Sequence, residues 1–312
     1  PSECEGAPSE AGAPIVLADL GCWVRSGEPV LRDPIPEENY QSASDGHVFR
    51  DQDGTLRMVY SGDVDGASSI KLATGSDWQT WQVTGGLLTE VGPSGLDRNK
   101  ETSFYRLATD GTHQIYYIGY NDEDEYKSQI YLAEASAIEG PYTLADAPIV
   151  RRGPQDGKEV YLMTSPSVVA HENVLYMAYL GWDAPHDAVT AVHVYGVTST
   201  DDGRTWSEPK EVAVPIGMEG QITAGPDGRF YAVALADFAG GPGISLGVAD
   251  APFGPYEMLD EPILVKQGAP HEVDDATAPQ ITFDESNRTA RLYYVGVDYA
   301  TGWWMMMAST RY

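Results

Sequence analysis

The sequence predicts an all-β fold: a five-bladed β-propeller of four-stranded antiparallel blades, the last blade closed by an N-terminal strand. Three observations carry this. A β-hairpin recurs five times, a short outer strand recurs three times, and the chain stops one strand short of a complete fifth blade.

The hairpins are "HVFRDQDGTLRMVYSGD" from His47, "SFYRLATDGTHQIYYIGYND" from Ser103, "SVVAHENVLYMAYLGWD" from Ser167, "QITAGPDGRFYAVALAD" from Gln221 and "QITFDESNRTARLYYVGVD" from Gln280. Each is a pair of β-prone runs around a turn rich in Gly, Asp or Asn. Anchored on Val48, Phe104, Val168, Ile222 and Ile281, they step by 56, 64, 54 and 59 residues, which leaves room for two further strands per unit. The outer-strand repeat is "WVRSGEPVLR" from Trp23, "YTLADAPIVR" from Tyr142 and "YEMLDEPILV" from Tyr256, the last two directly after Gly-Pro. After Ile281 the chain holds only three strands. "GEPVLR", residues 27–32, is therefore expected to supply the outer strand of blade five, which hides two open sheet edges. Residues 1–14, small, polar and Pro-rich, read as a flexible tail, and residues 15–312 as one domain.

Charge narrows the function. With 47 acidic against 19 basic residues the formal charge is −28, a field that repels phosphate backbones and anionic lipid heads. Nucleic-acid and membrane-surface binding are not expected. No apolar run of about 18 residues predicts a membrane span. The two cysteines, Cys4 and Cys22, are expected to form one local disulfide, worth roughly 3 kcal/mol in the chain-entropy model. That fits a secreted, periplasmic or cell-surface protein, expected as a monomer.

The residue three before each anchor is Asp45, Glu101, Ser165, Glu219 and Ala278. Innermost strands begin at the axis, so three carboxylates are expected to converge in a funnel. Neighbouring carboxylates push their pKa values apart, as a general acid and base require. The loops between second and third strands would ring this funnel, bringing Asp63, Trp182, Asp183, His186, Asp237 and Trp303. His47, Arg98 and His271 fall near the same face. Aromatic rings beside carboxylates suit carbohydrate: rings pack on sugar faces and acids bond hydroxyls. No His spacing suits zinc. "NDEDE" (residues 121–125) could hold a structural Ca²⁺ through oxygens, though without EF-hand spacing, and no cofactor is expected to be required. A Gly-x-Ser-x-Gly elbow, a P-loop and a Cys-x-x-Cys motif are all absent.

"STDDGRTW", residues 199–206, resembles the Asp box of sialidases and other β-propellers. It follows the third strand of blade three and is expected in a turn opposite the funnel, with Trp206 packed between blades. "GSDWQTW", residues 75–81, looks like a degraded copy in blade one.

Asp45 on the first inner strand, the Gly-Pro-aromatic outer strands and the five blades together resemble glycoside hydrolase family 43 and its relatives in families 32, 62, 68, 117 and 130. The resemblance spans the whole propeller. It implies hydrolysis of glycosidic bonds, with a general base on the first blade, an Asp on the second that tunes the acid, and a Glu acid on the third. Asp45 matches the base. Glu101 matches the second-blade position as Glu. The third blade offers Thr164 and Ser165 instead, so Glu219 is the candidate acid and Glu101 the alternative. Three other readings stay open: a non-catalytic, lectin-like propeller, a calcium-dependent phosphohydrolase or lactonase, and a sialidase. The sialidase would need six blades and an arginine cluster, against Arg98, Arg151 and Arg152 here.

Overall fold

Four antiparallel strands repeat around one axis, and the start of the chain completes the final set. The computed structural model describes residues 15–35, 40–121, 127–185, 188–268 and 270–312. Blade one runs outward from Ser44–Arg50 through Leu56–Val64 and Ala67–Gly75 to Trp81–Leu88. Blade two is Asn99–Leu107, His113–Tyr120, Gln129–Ala135 and Thr143–Leu144; blade three is Leu162–His171, Val174–Trp182, Val192–Ser199 and Lys210–Glu211. Blade four is Met218–Ala224, Phe230–Phe238, Gly241–Ala249 and Glu257–Met258, and Leu264–Val265 also pairs with its third strand. Blade five has Asp275–Asp284, Thr289–Asp298 and Gly302–Arg311.

The outer edge of blade five is covered as the sequence implies. Val24 and Arg25 pair with Ser309 and Ala308, and Leu31 bridges Met305. One pairing was not foreseen. Tyr40–Ser42 lies parallel to Gly302 and Trp303, so the incoming chain also touches the mouth of blade five. Cys22 is disulfide-bonded; Cys4 and the rest of the expected tail lie outside the described residues.

Inner strands are buried on both faces, because a blade stacks on two neighbours. Leu162–His171 has eight buried residues in a row, and this erases the two-residue alternation of a half-exposed strand. The core is accordingly divided into five clusters between adjacent blades. Phe104, Tyr116, Val168 and Tyr179, for example, meet between blades two and three.

Two sets of polar contacts fix the blades. In the first, a side chain of one inner strand accepts the amide of the next. His47 Nδ1 accepts from Tyr105 N at 2.9 Å, Ser167 Oγ from Ile222 N at 2.8 Å, and Gln280 Oε1 from Val48 N at 3.1 Å. The last of these closes the ring. In the second, a Tyr-x-Gly motif on the second strand staples the chain entering that blade. The hydroxyls of Tyr60, Tyr117, Tyr179 and Tyr294 donate to Asp33, Asp97, Gln155 and Glu272 at 3.1, 2.9, 2.8 and 2.5 Å. In blades one and two the glycine two residues on makes room for the acceptor. A Cβ on Gly62 would lie 2.6 Å from Asp33, and one on Gly119 would lie 2.6 Å from Asp97. Blade four has Ala234 and Ala236 at these places.

The turn at residues 199–206 lies away from the mouth. Asp201 accepts from Thr205 N at 2.9 Å and Thr205 Oγ1 at 2.6 Å, and Trp206 meets Tyr116 of blade two edge-on. Asp77 repeats the device on Thr80 in blade one.

Gln280→Leu should leave the buried Val48 amide unpaired. A loss of about 1–3 kcal/mol in urea unfolding is expected; an unchanged midpoint would contradict the role given to this bond.

Candidate active site

Each inner strand carries the same irregularity. Its register with the second strand breaks between Ser44 and His47, Glu101 and Phe104, Thr164 and Ser167, Met218 and Gln221, and Thr277 and Gln280. Inside each break one residue takes a left-handed backbone: Asp45 (φ 51°), Thr102 (47°), Ser165 (54°), Glu219 (56°) and Ala278 (45°). Such conformations are uncommon outside glycine, and five at matching places are a built feature. A bulge re-aims the side chains beside it. Here Asp45 and Glu219 end at the wall of the axial cavity.

This corrects the alignment of blade two. The counterpart of Asp45 is Thr102, and Glu101 matches Ser44. The blade-two anchor is Tyr105 and not Phe104, because Tyr105 N makes the inter-blade bond that Val48 N makes in blade one. Two adjacent aromatics allow a one-residue slip in sequence, and a slip of one exchanges faces. Glu101 reaches the cavity all the same.

The cavity has a volume of about 1080 Å³. Asp45, Asp63, Glu101, Trp182, Glu219 and Trp303 all line it, and the described lining residues include no Lys or Arg. It is lopsided. Blades one to three and the incoming chain supply most of the wall, and Glu219 and Trp303 are the contributions of blades four and five. Sequence reasoning missed Tyr40, Ser42, Ser68, Ser128 and Met163. The chain entering blade one carries no repeat signature that would mark Tyr40 and Ser42.

The three central carboxylates sense one another. Asp45 is pushed up to about 7, first by burial, then by the charges of Glu219 and Glu101; hydroxyls of Ser44 and Ser61 pull the other way. Burial also raises Glu219, against a 2.5 Å hydrogen bond from Thr277 Oγ1, while Asp275 and Glu101 add repulsion. Glu101 accepts from the Tyr120 hydroxyl at 2.7 Å. Three acids thus share a pocket that holds fewer than three negative charges comfortably near neutral pH.

The other expected binding residues that the structure describes lie elsewhere. His47 is buried between blades, stacked on Phe104 with centroids 4.0 Å apart, and burial pushes it down to about 3. It is a neutral acceptor of the fold, not a wall of the cavity. Asp183 holds its own loop: it accepts from the Thr190 hydroxyl and the amides of Ala191 and Thr190, which lower it to about 2. Arg98 and Asp237 are exposed and do not line the cavity. His271 packs its ring on Trp304 at 4.3 Å. His186 lies outside the described residues, as do residues 122–125 of the acidic loop. Among the described residues, no group of three or more His, Cys, Asp or Glu could hold a metal ion. Nor is any described helix long and apolar enough to cross a membrane.

Solved structures share this architecture. A thermostable family-43 glycoside hydrolase superposes with TM-score 0.64 at 14% identity, covering 86% of this chain and 88% of its own. The α-L-arabinofuranosidase of Podospora anserina, in complex with cellotriose, gives 0.67 at 14% identity, covering 92% and 96%. The chain has the fold of the five-bladed glycoside hydrolases. The same fold also serves an N-acetylgalactosamine deacetylase of F. plautii, at TM-score 0.67, 14% identity and coverage of 91% and 94%. No protein-family profile matches the chain. A tail spike protein of an Escherichia phage is 37% identical over 82 residues, which is 26% of this chain and 9% of the tail spike. The matching stretch thus spans a small part of that relative's length.

Asp45 is stabilised in its protonated form, so ionising it costs folding stability. The cost is absent below its unfolded value of 3.8, grows as pH rises, and is complete above about 7. Asp45→Asn should therefore melt higher than the parent at pH 8, by several degrees, and converge on it as pH falls below 3.8. A constant difference across that range in calorimetry would refute the coupling.

Proposed function

We propose that the chain hydrolyses glycosidic bonds of an oligo- or polysaccharide, with the axial carboxylates as acid and base. The observation that carries this is the coupled set Asp45, Glu101 and Glu219 in one cavity beside Trp182 and Trp303. Likeness of fold adds support, but the deacetylase shows that this fold also serves other chemistry, so the reading rests on the site.

Glu219 is the general acid. Burial raises its pKa and so favours its protonated form, and Thr277 orients the carboxyl. It protonates the leaving oxygen as the bond to the anomeric carbon breaks. Asp45 is the base: ionised, it takes a proton from the attacking water, or it attacks the anomeric carbon itself in the two-step variant. Glu101, steadied by Tyr120, raises Asp45 by its charge and helps ensure that the set retains a proton. Trp182 and Trp303 offer ring faces to the sugar, and Asp63 offers an acceptor for its hydroxyls. The disulfide at Cys22 and the large acidic excess fit a protein working outside the cytosol.

Aryl pyranosides and furanosides, followed by plant and microbial polysaccharides, provide the screen. On the substrate found, Asp45→Asn and Glu219→Gln should each lower kcat by about 10²–10⁴-fold, with sugar still bound. Full turnover in either variant sinks the assignment, and binding without turnover in the parent favours the lectin-like reading. Glu101→Gln removes a repelling charge, so the acidic limb of its kcat/KM profile should move to lower pH; a limb that stays or rises contradicts the tuning role.

A further inference from the structure

Lys71 stands where blades two and three carry a tyrosine. In blades two and three the second-strand tyrosine faces a third-strand tyrosine across the ladder: Tyr117 opposite Tyr131, and Tyr179 opposite Tyr195. Their rings stack with centroids 5.6 and 5.8 Å apart. In blade one the residue opposite Tyr60 is Lys71. Its Nζ lies 2.8 and 2.6 Å from the two carboxylate oxygens of Asp33 and 3.5 Å from the carbonyl of Asp63. Asp33 is 6% exposed, and the Tyr60 hydroxyl donates to it as well.

Asp33 also holds a wall of the cavity. Its carbonyl accepts from Ser42 N at 3.0 Å and Ser42 Oγ at 3.4 Å, and Ser42 Oγ accepts from Asp63 N at 3.0 Å. Ser42 and Asp63 line the cavity, as do Ile35 and Tyr40, which pair with each other. This wall lies between the closing strand and blade one, and it hangs on Asp33, the blade-one acceptor of the tyrosine staple. A buried ion pair ties it to the blade.

The fold does not demand a charge there. In blade three the neutral Gln155 accepts from Tyr179, and Tyr195 stacks where Lys71 would stand. A buried ion pair is a weak stabiliser beside a well-packed neutral arrangement. We propose that Lys71 and Asp33 are positioning residues for glycan binding, fixing Ser42 and Asp63 at the cavity wall; this rests on the glycosidase reading of the cavity.

The double variant Asp33→Asn/Lys71→Tyr copies the blade-three arrangement and is expected to fold. Hydrogen exchange should speed up by about tenfold at the Ser42 and Asp63 amides and stay unchanged in the inner strands. KM should rise about tenfold with kcat unchanged, equivalent to about 1.4 kcal/mol of binding. Lys71→Arg, which keeps the cation, should restore both values to near those of the parent. Unchanged exchange in the double variant overturns the proposal, as does unchanged KM. A fall in melting temperature with KM intact would make the pair a structural element only. If the parent turns over no glycan, the glycosidase reading fails, and exchange alone still decides whether the pair holds the wall.

Discussion

The left-handed residue in each inner strand is the constraint on which the mouth of the propeller depends. A regular strand buried between two blades would send its side chains into the neighbouring cores. The bulge adds one residue and turns its side chain toward the axis. The ladder resumes two residues later, and there the inter-blade bonds of His47, Ser167 and Gln280 lock the strand against its neighbour. The strain of a non-glycine left-handed residue is held in place from both sides. The fold thereby offers five places at the axis, and this chain fills two of them with Asp45 and Glu219.

Those two acids, with Glu101 one residue out of step, explain the electrostatics. None of the described lining residues is a Lys or Arg, so their repulsion is relieved by retained protons and by hydroxyls from Ser44, Ser61, Thr277 and Tyr120. Retained protons beside an ionised carboxylate are what acid–base cleavage of an acetal uses. The tryptophans line the same cavity, so its wall has both polar and apolar parts. The cations lie one layer further back, with Lys71 on Asp33 and the buried Lys100 on Asp97.

Much of this is legible in sequence because a propeller writes its unit five times. Turn residues and aromatic runs gave the blade count, and the missing strand at the end pointed to closure by residues 27–32, where the structure pairs Val24 and Arg25 and bridges Leu31. The axial acids followed from spacing alone. Their register did not, since Phe104 and Tyr105 are interchangeable to hydrophobic pattern and only the inter-blade bond separates them. Tyr-x-Gly was present in four blades, and its meaning appears only when the acceptors at positions 33, 97, 155 and 272 come near. His47 shows the converse. A histidine beside an axial acid suggests a ligand contact, yet its ring serves an amide of the next blade. The wall at Tyr40 and Ser42 depends on a parallel pairing with Trp303 about 260 residues away, for which no local pattern exists.

The most direct test of the coupled acid set is carboxyl ¹³C titration of the folded protein, with Glu219→Gln as the comparison. One aspartate resonance should titrate near pH 7 in the parent and move to lower pH in the variant. Titration of every axial carboxyl in the ordinary range, indifferent to the loss of Glu219, would contradict the account.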